Sequence, residues 1–377
     1  MSLISYVTKI HFAENVLEDA LEAELELLGL SRPLVICEDD PARAGAAGRL
    51  MNAVPRCVAA SFYRCGAGPA TEEACRQAAE LYAASGADGI VGFGGTTAMN
   101  LAKAVGVCVT HEGPLLRHAG AGGGGQRIRD VIPPLIAIPT DAGACAEAIG
   151  VAMVATRKGP SIALASPFLV PKVVICDPTL TLDLSAEQVA GAGMDALTHC
   201  METYIARAYN PPADGIARDG IRRAATHLQR AVDDRSDLDA RREMMAAALN
   251  GALASQKGLG GVHAMSHALA ALGRHRLDHG AVNAVLLPLV LDFNAPAVAP
   301  RYEEIKRELG LPARTSLAEA MVRLRERIAL PGGLGEMGIG ESDLERAATL
   351  AAADYSNRTN PRHADAEDYL GLLRAAL

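Results

Sequence analysis

The chain is poor in aromatic side chains, with no Trp and only five Phe among its 377 residues, whereas 37 residues are Gly. Half of the residues are nevertheless hydrophobic, so the core must be packed closely through small and aliphatic side chains. A chain of this length exceeds the roughly 250–300 residues at which single cores stop growing. We therefore expect a globular, enzyme-like protein with two domains.

Other absences exclude further classes of protein. No basic stretch offsets the formal net charge of −8, which argues against binding to nucleic acid or to an anionic membrane. The eight Cys form no Cys-x-x-Cys pair, so we expect buried free thiols in a reducing compartment. Polar residues interrupt the N-terminal segment, and no apolar run reaches ~18 residues. The prediction is a cytoplasmic protein with small-molecule partners.

Short apolar runs alternate with helical segments in the first half of the chain. Runs at 33–37, 89–93 and 135–138 are bounded by turn residues, and residues 72–84 have helical periodicity. This alternation predicts β-α units in a parallel sheet that is buried on both faces. A fourth run, at 172–176, lies near the end of this half.

Helical periodicity dominates from Ser185 onward, with Ser185 as a cap and Pro288 among the breakers. We predict an α/β domain over 1–180 and an all-helical domain over 181–377. The Gly-rich run at 119–125 precedes a strand, whereas a phosphate loop follows one. A flexible surface loop is therefore favoured for that run.

The turn at 92–97 is a better phosphate site, because it follows a strand and precedes a helical stretch. Gly94 and Gly95 allow a pyrophosphate close to backbone amides at the positive end of a helix dipole, and Thr96 and Thr97 complete the turn. An ordinary strand-to-helix turn is an equally good interpretation of this element alone.

Two acidic residues, Glu38 and Asp39, stand at the end of the first predicted strand. Carboxylates at that position accept hydrogen bonds from the adenosine ribose and repel a 2′-phosphate. They favour NAD over NADP, although exposed acidic loop residues are common without any ligand.

Histidines and a carboxylate indicate a metal site in the second half. Asp195 and His199 are spaced i, i+4, so on a helix they project from one face. Four of the ten His lie between His263 and His279. A carboxylate with three imidazoles suits a first-row divalent ion and leaves one position open. A zincin-type hydrolase is excluded because Ala264 stands where its Glu is needed, and core histidines without a metal are the alternative.

Together these segments resemble the iron-containing (group III) alcohol dehydrogenase family. The resemblance runs over nearly the whole chain and includes Gly-Gly-Thr-Thr-Ala-Met-Asn-Leu-Ala-Lys at 94–103, Gly-Met-Asp-Ala-Leu-Thr-His at 193–199, both histidine segments and Asn360-Pro361-Arg362. It implies a dehydroquinate synthase-like fold, in which a nucleotide domain and an all-helical metal-binding domain enclose the active site between them. It also implies a homodimer or larger homo-oligomer.

The resemblance implies that Asp195, His199, His263 and His279 bind the metal, which is usually Fe²⁺ and sometimes Zn²⁺. The cation would polarise an aldehyde or stabilise an alkoxide while hydride passes to or from NAD(H). Asp195 would be catalytic through this metal, and His267 would relay a proton beside the nicotinamide. The expected activity is that of an alcohol dehydrogenase or aldehyde reductase.

The segment 140–147 departs from the family pattern Thr-Thr-Ala-Gly-Thr-Gly-Ser-Glu. Thr140 is retained, whereas Asp141, Ala144 and Ala146 replace hydroxyl residues. Thr140 and Asp141 are still expected at the cofactor, and an inward-pointing Asp141 would weaken contacts to phosphate. The alternatives are a maleylacetate reductase, a glycerol dehydrogenase-like enzyme, and a metal-binding pseudoenzyme that acts as a scaffold.

A substrate handle is predicted just before His263. Similar dehydrogenases commonly carry an aromatic residue where this chain has Ala254, so we expect a larger pocket there. Lys257 would then hold an anionic group of the substrate, and a solvated surface lysine is the simpler alternative.

Overall fold

The computed structural model describes residues 4, 6, 8–39, 44–66, 68–143, 145–156, 161–273 and 277–377, with residues 121 and 122 described by their backbone. Ala144 of the altered segment lies outside these residues. Contacts divide the chain into two units, Tyr6–Leu184 and Ser185–Leu377. The division falls shortly after the boundary predicted at residue 180.

The unit Tyr6–Leu184 alternates strands with helices. The strands are β1 (Lys9–Phe12), β2 (Pro33–Glu38), β3 (Ser61–Cys65), β4 (Gly89–Gly94), β5 (Leu135–Pro139), β6 (Val151–Val154), β7 (Ile162–Ala165) and β8 (Val173–Cys176), and the helices are α1 (Leu17–Leu27), α2 (Ala44–Ala53), α3 (Glu72–Ser85) and α4 (Thr96–Thr110). Six strands form a parallel sheet in the order β1-β8-β5-β4-β2-β3, and β6 pairs with β7 in an antiparallel hairpin. The predicted fold class is confirmed.

Helices cover both faces of this sheet, which explains the uninterrupted apolar runs. Leu34, Ile36 and Ile90 belong to a core cluster with α3 and α4. Val35 and Val91 point to the other face, where they pack with α1 and α2. The edge strands β1 and β3 escaped prediction because they are short and only partly buried, so polar residues interrupt their apolar pattern.

The prediction of a flexible loop at 119–125 is wrong. Residues Ala121–Arg127 form a 3-10 helix that packs on β7. A Cβ on Gly125 would lie 2.1 Å from the Ala165 carbonyl oxygen, and one on Gly124 would lie 2.2 Å from the Ala119 carbonyl oxygen. The glycines are therefore needed for close backbone packing.

The described part of Ser185–Leu377 contains helices and no strand. The helices are α5 (Ala186–Ile205), α6 (Pro211–Asp233), α7 (Leu238–Ala254), α8 (Gly261–Ala270), α9 (His279–Glu308), α10 (Leu317–Arg327), α11 (Glu341–Ala353) and α12 (Ala366–Ala375). Ser185 caps α5, as predicted, in a capping box with Gln188. This is the mostly helical half of the predicted fold.

Helix α9 begins at a predicted metal ligand and touches α5 through main chain. A Cβ on Gly280 would lie 1.9 Å from the Gly191 carbonyl oxygen, so only glycine fits at 280. Pro288 does not end this helix, which was a wrong prediction: buried neighbours on α9 such as Leu287 and Leu291 offset its one missing hydrogen bond. Helix α9 is long and apolar enough to cross a membrane by length and composition, but 67% of its most apolar stretch is buried in the protein.

Candidate metal centre

Helix α5 carries three ionisable side chains on one face. Asp195, His199 and Glu202 follow one another at spacings of four and three residues, and all three are nearly fully buried. Helices α8 and α9 bring His263 and His279 to the same region. Three helices of one unit thus converge on a single cluster of carboxylate and imidazole groups.

The tightest part of the cluster consists of Asp195, His263 and His279, whose candidate ligand atoms all lie within 4.8 Å of one another. The Asp195 Oδ1 atom is 3.6 Å from His263 Nε2 and 3.8 Å from His279 Nε2. Two atoms that each bind a metal at roughly 2.0–2.2 Å lie at most about 4.4 Å apart. Both separations therefore fit a shared first-row cation.

His199 lies beside this group, with its ring centroid 4.1 Å from that of His263. Its Nδ1 is 3.0 Å from the Asp195 carbonyl oxygen and 3.1 Å from Asp195 Oδ1. Nε2 is consequently the ring atom left for a metal, but His199 is not part of the group of ligand atoms that lie within 4.8 Å of one another. The structure clusters three of the four predicted ligands and places His199 beside them.

Each imidazole of the predicted ligand set is held at Nδ1. His199 Nδ1 contacts the carbonyl oxygen and Oδ1 of Asp195, His263 Nδ1 contacts Glu202 Oε2 at 2.6 Å, and His279 Nδ1 contacts Ser266 Oγ at 2.8 Å. An Nδ1–H that donates to such a partner leaves the lone pair on Nε2, the arrangement that metal-binding histidines usually show.

A buried polar atom supports the fit of a cation. His263 Nε2 is buried and lacks a hydrogen-bond partner among the described residues, a state that costs free energy unless something occupies the site. Burial lowers the pKa of His263, but Asp195 and Glu202 raise it to about 9. The carboxylates thus favour positive charge at this place, and a divalent cation would supply it.

The other ligand pKa values agree with metal binding. Burial by itself would raise the pKa of Asp195, yet His199 and His279 hold it well below its ordinary value. Burial lowers the pKa of His279 below its ordinary value. At neutral pH the carboxylate is ionised and this imidazole is neutral, which are the states that bind a metal.

His267 lies next to the predicted ligands but has a different environment. Its ring stacks on Tyr355 at 5.7 Å and on His279 at 5.9 Å. His267 Nδ1 is 3.3 Å from Asp354 Oδ2, and Asp354 is held in turn by the Ser356 backbone N–H at 2.8 Å. This carboxylate orients the imidazole without involving it in the tight cluster.

Sequence reasoning missed the residues that hold the ligands. Asn283 donates to Asp195 Oδ1 at 2.7 Å and lies four residues after His279 on α9. Glu202 lies 61 residues from His263 in the chain. The available signal was the i, i+7 spacing of Glu202 from Asp195 on a helix already expected to carry ligands.

The predicted phosphate turn joins β4 to α4 as expected. Gly94 has φ 144°, and a Cβ there would approach Ala98 Cβ to 2.9 Å, so this position requires glycine. Glu38 Oε1 accepts hydrogen bonds from the Gly95 N–H at 3.0 Å and the Ala98 N–H at 3.3 Å. Glu38 therefore contacts the amides that were predicted to bind pyrophosphate.

The other residues predicted to bind the cofactor differ in exposure. Asp39 is largely exposed and pairs with Arg64 at 3.3 Å, which offsets its charge. Thr97 Oγ1 donates to the Gly68 carbonyl, and Thr96 is the first residue of α4. Of the two carboxylates, Glu38 is the one whose charge lies on the turn.

The altered segment adjoins this turn. The Thr140 N–H donates to the Gly94 carbonyl at 3.1 Å, and Asp141 Oδ1 accepts from the Gly143 N–H at 3.3 Å. The buried Lys103 donates to the Ala146 carbonyl and, at 3.0 Å, to the Val151 carbonyl. The lysine of the 94–103 segment thus fixes the path of a loop whose hydroxyl residues have changed.

Lys257 is neither a substrate handle nor a surface residue, so both predictions for it are wrong. Its side chain is fully buried. The ammonium donates to Asp214 and, at 2.7 Å, to the Tyr204 carbonyl. Ala254, where an enlarged pocket was expected, is also fully buried. Lys257 is a structural cation between α5 and α6.

Comparison with known proteins agrees with these observations. Residues 7–178 match the family model "Iron-containing alcohol dehydrogenase", and residues 189–377 match "Fe-containing alcohol dehydrogenase family, C-terminal". The chain is 41% identical to 4-hydroxybutyrate dehydrogenase of Cupriavidus necator over 100% of both chains. It is 33% identical to 1,3-propanediol dehydrogenase of Klebsiella pneumoniae over 77% of this chain and 76% of that one.

Solved structures show the same fold. An alcohol dehydrogenase from Oenococcus oeni matches with a TM-score of 0.91 and 26% identity over 100% of both chains. A maleylacetate reductase from Agrobacterium tumefaciens matches with a TM-score of 0.79 and 26% identity. The chain therefore belongs to the iron-containing alcohol dehydrogenase family, as its resemblance predicts, and is an oxidoreductase of a family that implies a metal and NAD as cofactors.

Proposed function

We propose that this protein is an Fe²⁺-dependent, NAD(H)-linked dehydrogenase that interconverts a primary alcohol and its aldehyde. Its metal ligands are Asp195, His199, His263 and His279. The proposal rests on one observation above all: three imidazoles are held at Nδ1 around a buried carboxylate, and His263 Nε2 has no hydrogen-bond partner among the described residues. Ser185–Leu377 would hold the metal, and Tyr6–Leu184 would hold the dinucleotide.

When bound, the metal supplies Lewis acidity at the substrate oxygen. The chain's own residues supply the rest. Asp195 and the three imidazoles would hold the cation. His267, oriented by Asp354, takes up the hydroxyl proton during alcohol oxidation and returns it during aldehyde reduction.

The substrate that we propose first is 4-hydroxybutyrate, or a short ω-hydroxy acid like it. The support is the relative of that name, which matches the whole chain at 41% identity. The neutral diol 1,3-propanediol is the second candidate, since a relative named for it is 33% identical. Lys257 does not enter this argument, because it is buried in an ion pair.

We further propose that NAD is preferred to NADP, through Glu38. Its carboxylate stands at the end of β2, the position at which negative charge disfavours a 2′-phosphate. Thr96, Thr97, Thr140 and the turn glycines would contact the dinucleotide. Asp39 and Asp141 would contribute less, because Asp39 pairs with Arg64 and Asp141 with its own loop.

Two properties of the whole protein complete the proposal. All eight Cys are free thiols, which fits an enzyme of the cytoplasm. A homodimer or larger assembly is expected from the family resemblance. Light scattering should then give at least twice the 39.2 kDa mass of one chain, and a mass of one chain would contradict this part.

The test is an anaerobic assay of metal-free protein reloaded with Fe²⁺ or with Zn²⁺. NADH formation from 4-hydroxybutyrate is compared with that from 1,3-propanediol and 1-butanol, and each reaction is repeated with NADP⁺. The expected result is the highest kcat/KM with Fe²⁺, NAD⁺ and the hydroxy acid. No turnover of any alcohol or aldehyde in protein that retains stoichiometric metal would refute the proposal.

A further inference from the structure

The imidazoles around the candidate metal position do not have equivalent partners. His199 Nδ1 lies 3.0 Å from the Asp195 carbonyl oxygen and 3.1 Å from Oδ1 of Asp195, which is itself a proposed ligand, and His279 Nδ1 contacts the neutral hydroxyl of Ser266. His263 alone among these ligands has at Nδ1 a carboxylate from outside the proposed ligand set, that of Glu202, at 2.6 Å. The three imidazoles therefore differ in that one of them is backed by a charge that is not a ligand.

Glu202 is held by more than this contact. Its Oε1 accepts from the Val262 N–H at 2.7 Å, and its Oε2 accepts from the Gly260 N–H at 3.1 Å. Both amides belong to the first turn of α8, where unpaired N–H groups and the helix dipole stabilise an anion. The side chain is 2% exposed. Glu202 is thus a buried carboxylate in a site that satisfies it without a metal.

Glu202 packs closely against the start of α8. A Cβ on Gly260 would lie 2.8 Å from Glu202 Oε1 and 2.9 Å from Asn360 Oδ1. Asn360 accepts from the Gly261 N–H at 3.0 Å and is itself bonded to Asn294. A network of buried polar groups therefore fixes both the start of α8 and the carboxylate that faces His263.

We propose that Glu202 is a positioning residue that sets the metal affinity of this site, because it fixes the His263 imidazole and increases the electron donation of its Nε2. The inference rests on the proposed metal site but not on the proposed substrate. A carboxylate behind a metal-bound imidazole makes the imidazole a stronger ligand, and loss of such a partner lowers metal affinity roughly 10–100-fold.

A purely structural role is the competing interpretation, since Glu202 also caps α8. The two roles predict different results. A cap contributes to folding whether or not a metal is present, whereas an anion behind His263 changes the affinity of the folded protein and the electronic environment of the bound ion. Metal binding must therefore be measured separately from the stability of metal-free protein.

The experiment compares the metal-free natural protein with three variants, Glu202→Gln, Ser266→Ala and Ser185→Ala. Glu202→Gln keeps an oxygen for His263 but removes the charge. Ser266→Ala removes the neutral partner of His279, and Ser185→Ala removes a cap from the ligand-bearing helix α5 without touching an imidazole. The readouts are the thermal midpoint without metal, the Zn²⁺ dissociation constant by chelator competition, and the visible absorption of bound Co²⁺.

We expect Glu202→Gln to raise the Zn²⁺ dissociation constant roughly 10–100-fold and to shift the Co²⁺ bands. Ser266→Ala should have a smaller effect, and Ser185→Ala should change only the thermal midpoint. The proposal would be overturned if folded Glu202→Gln bound Zn²⁺ as tightly as the natural protein and gave the same Co²⁺ spectrum. If Glu202→Gln does not fold, Glu202→Asp replaces it: this variant keeps the charge but withdraws it from His263, so unchanged affinity again overturns the proposal.

These readouts do not depend on turnover. If the natural protein binds Zn²⁺ and Co²⁺ but oxidises no alcohol, the proposed function fails while the inference about Glu202 is still tested. If the natural protein turns over substrate and Glu202→Gln binds metal normally, the inference alone fails.

Discussion

The two units of this enzyme prepare for their ligands in different ways. In Ser185–Leu377 the candidate ligands are side chains, and buried partners such as Glu202 and Asn283 hold them. In Tyr6–Leu184 the candidate phosphate site is backbone, formed by glycine amides at the start of α4, and Glu38 already contacts those amides. At the proposed sites a metal would therefore meet a prearranged set of donors, whereas a dinucleotide would have to share its turn with a carboxylate.

The contrast between the two units would fail most clearly if Ser185–Leu377 kept its metal after the loss of a proposed ligand. His263→Ala and His279→Ala should each deplete the metal and abolish activity, because three remaining ligands and a cavity bind the ion far more weakly. Metal content per chain and NADH formation measure the effect. His227→Ala, on α6 of the same unit, is the control that should keep both. Full metal content in either ligand variant would show that the assignment of these residues is wrong.

A variant of His267 tests whether this imidazole, beside the proposed ligands, transfers a proton and does not bind the metal. His267→Ala should retain its metal and lose turnover by roughly 10²-fold, the low end for loss of a positioned acid–base group. Asp354→Asn, which weakens the contact that orients the His267 ring, should reduce turnover less than His267→Ala does. Loss of metal from His267→Ala would make it a ligand, and unchanged turnover would remove its proposed role in proton transfer.

Lys257 tests whether a buried charge in Ser185–Leu377 stabilises the fold or binds the substrate. Lys257→Ala should lower the free energy of unfolding by about 3 kcal/mol, the low end for a broken buried ion pair, since Asp214 is partly exposed and still contacts Arg301 at 3.1 Å. The exposed pair of Arg374 with Glu341 provides the control, and Arg374→Ala should cost less than about 1 kcal/mol. Denaturant unfolding measures both. A changed preference for acidic over neutral substrates in folded Lys257→Ala would contradict its structural role.

The smallest effect is expected in the nucleotide unit. Glu38→Ala should relax the preference for NAD over NADP by about tenfold, equivalent to roughly 1.4 kcal/mol. Asp39→Ala should change it less, because Arg64 already offsets that charge. The ratio of kcat/KM for the two dinucleotides is the measurement. A larger change in Asp39→Ala than in Glu38→Ala would reverse their assignments.

Local spacing accounts for most of what the sequence predicted. The runs that form β2, β4, β5 and β8 are buried on both faces, and the i, i+4 pair on α5 is local. Both patterns can be predicted from one continuous stretch of sequence. Contacts between residues that are distant in sequence could not be predicted in this way. Glu202 and Ser266 acquire their roles only when α5, α8 and α9 pack together, and Lys257 became a buried cation for the same reason.

The glycine run at 119–125 teaches the complementary lesson. Its composition resembles that of a flexible loop, because a sequence does not show how close another strand approaches. The Ala165 carbonyl oxygen at 2.1 Å from a hypothetical Gly125 Cβ supplies the missing fact. Glycine indicates close approach as well as freedom, and only the fold distinguishes the two.

The contact between Gly191 and Gly280 limits how far the proposed metal site can contract. Because the carbonyl of one glycine lies where a Cβ of the other would be, helices α5 and α9 cannot move closer, and the distance between the Asp195 and His279 backbones has a lower limit. Adjustment to a smaller ion would then have to come from rotation of side chains whose outer atoms are already bonded. The lower limit on the separation of α5 and α9 is thus a property of main-chain packing, and exchanging one ligand side chain for another would leave that limit in place.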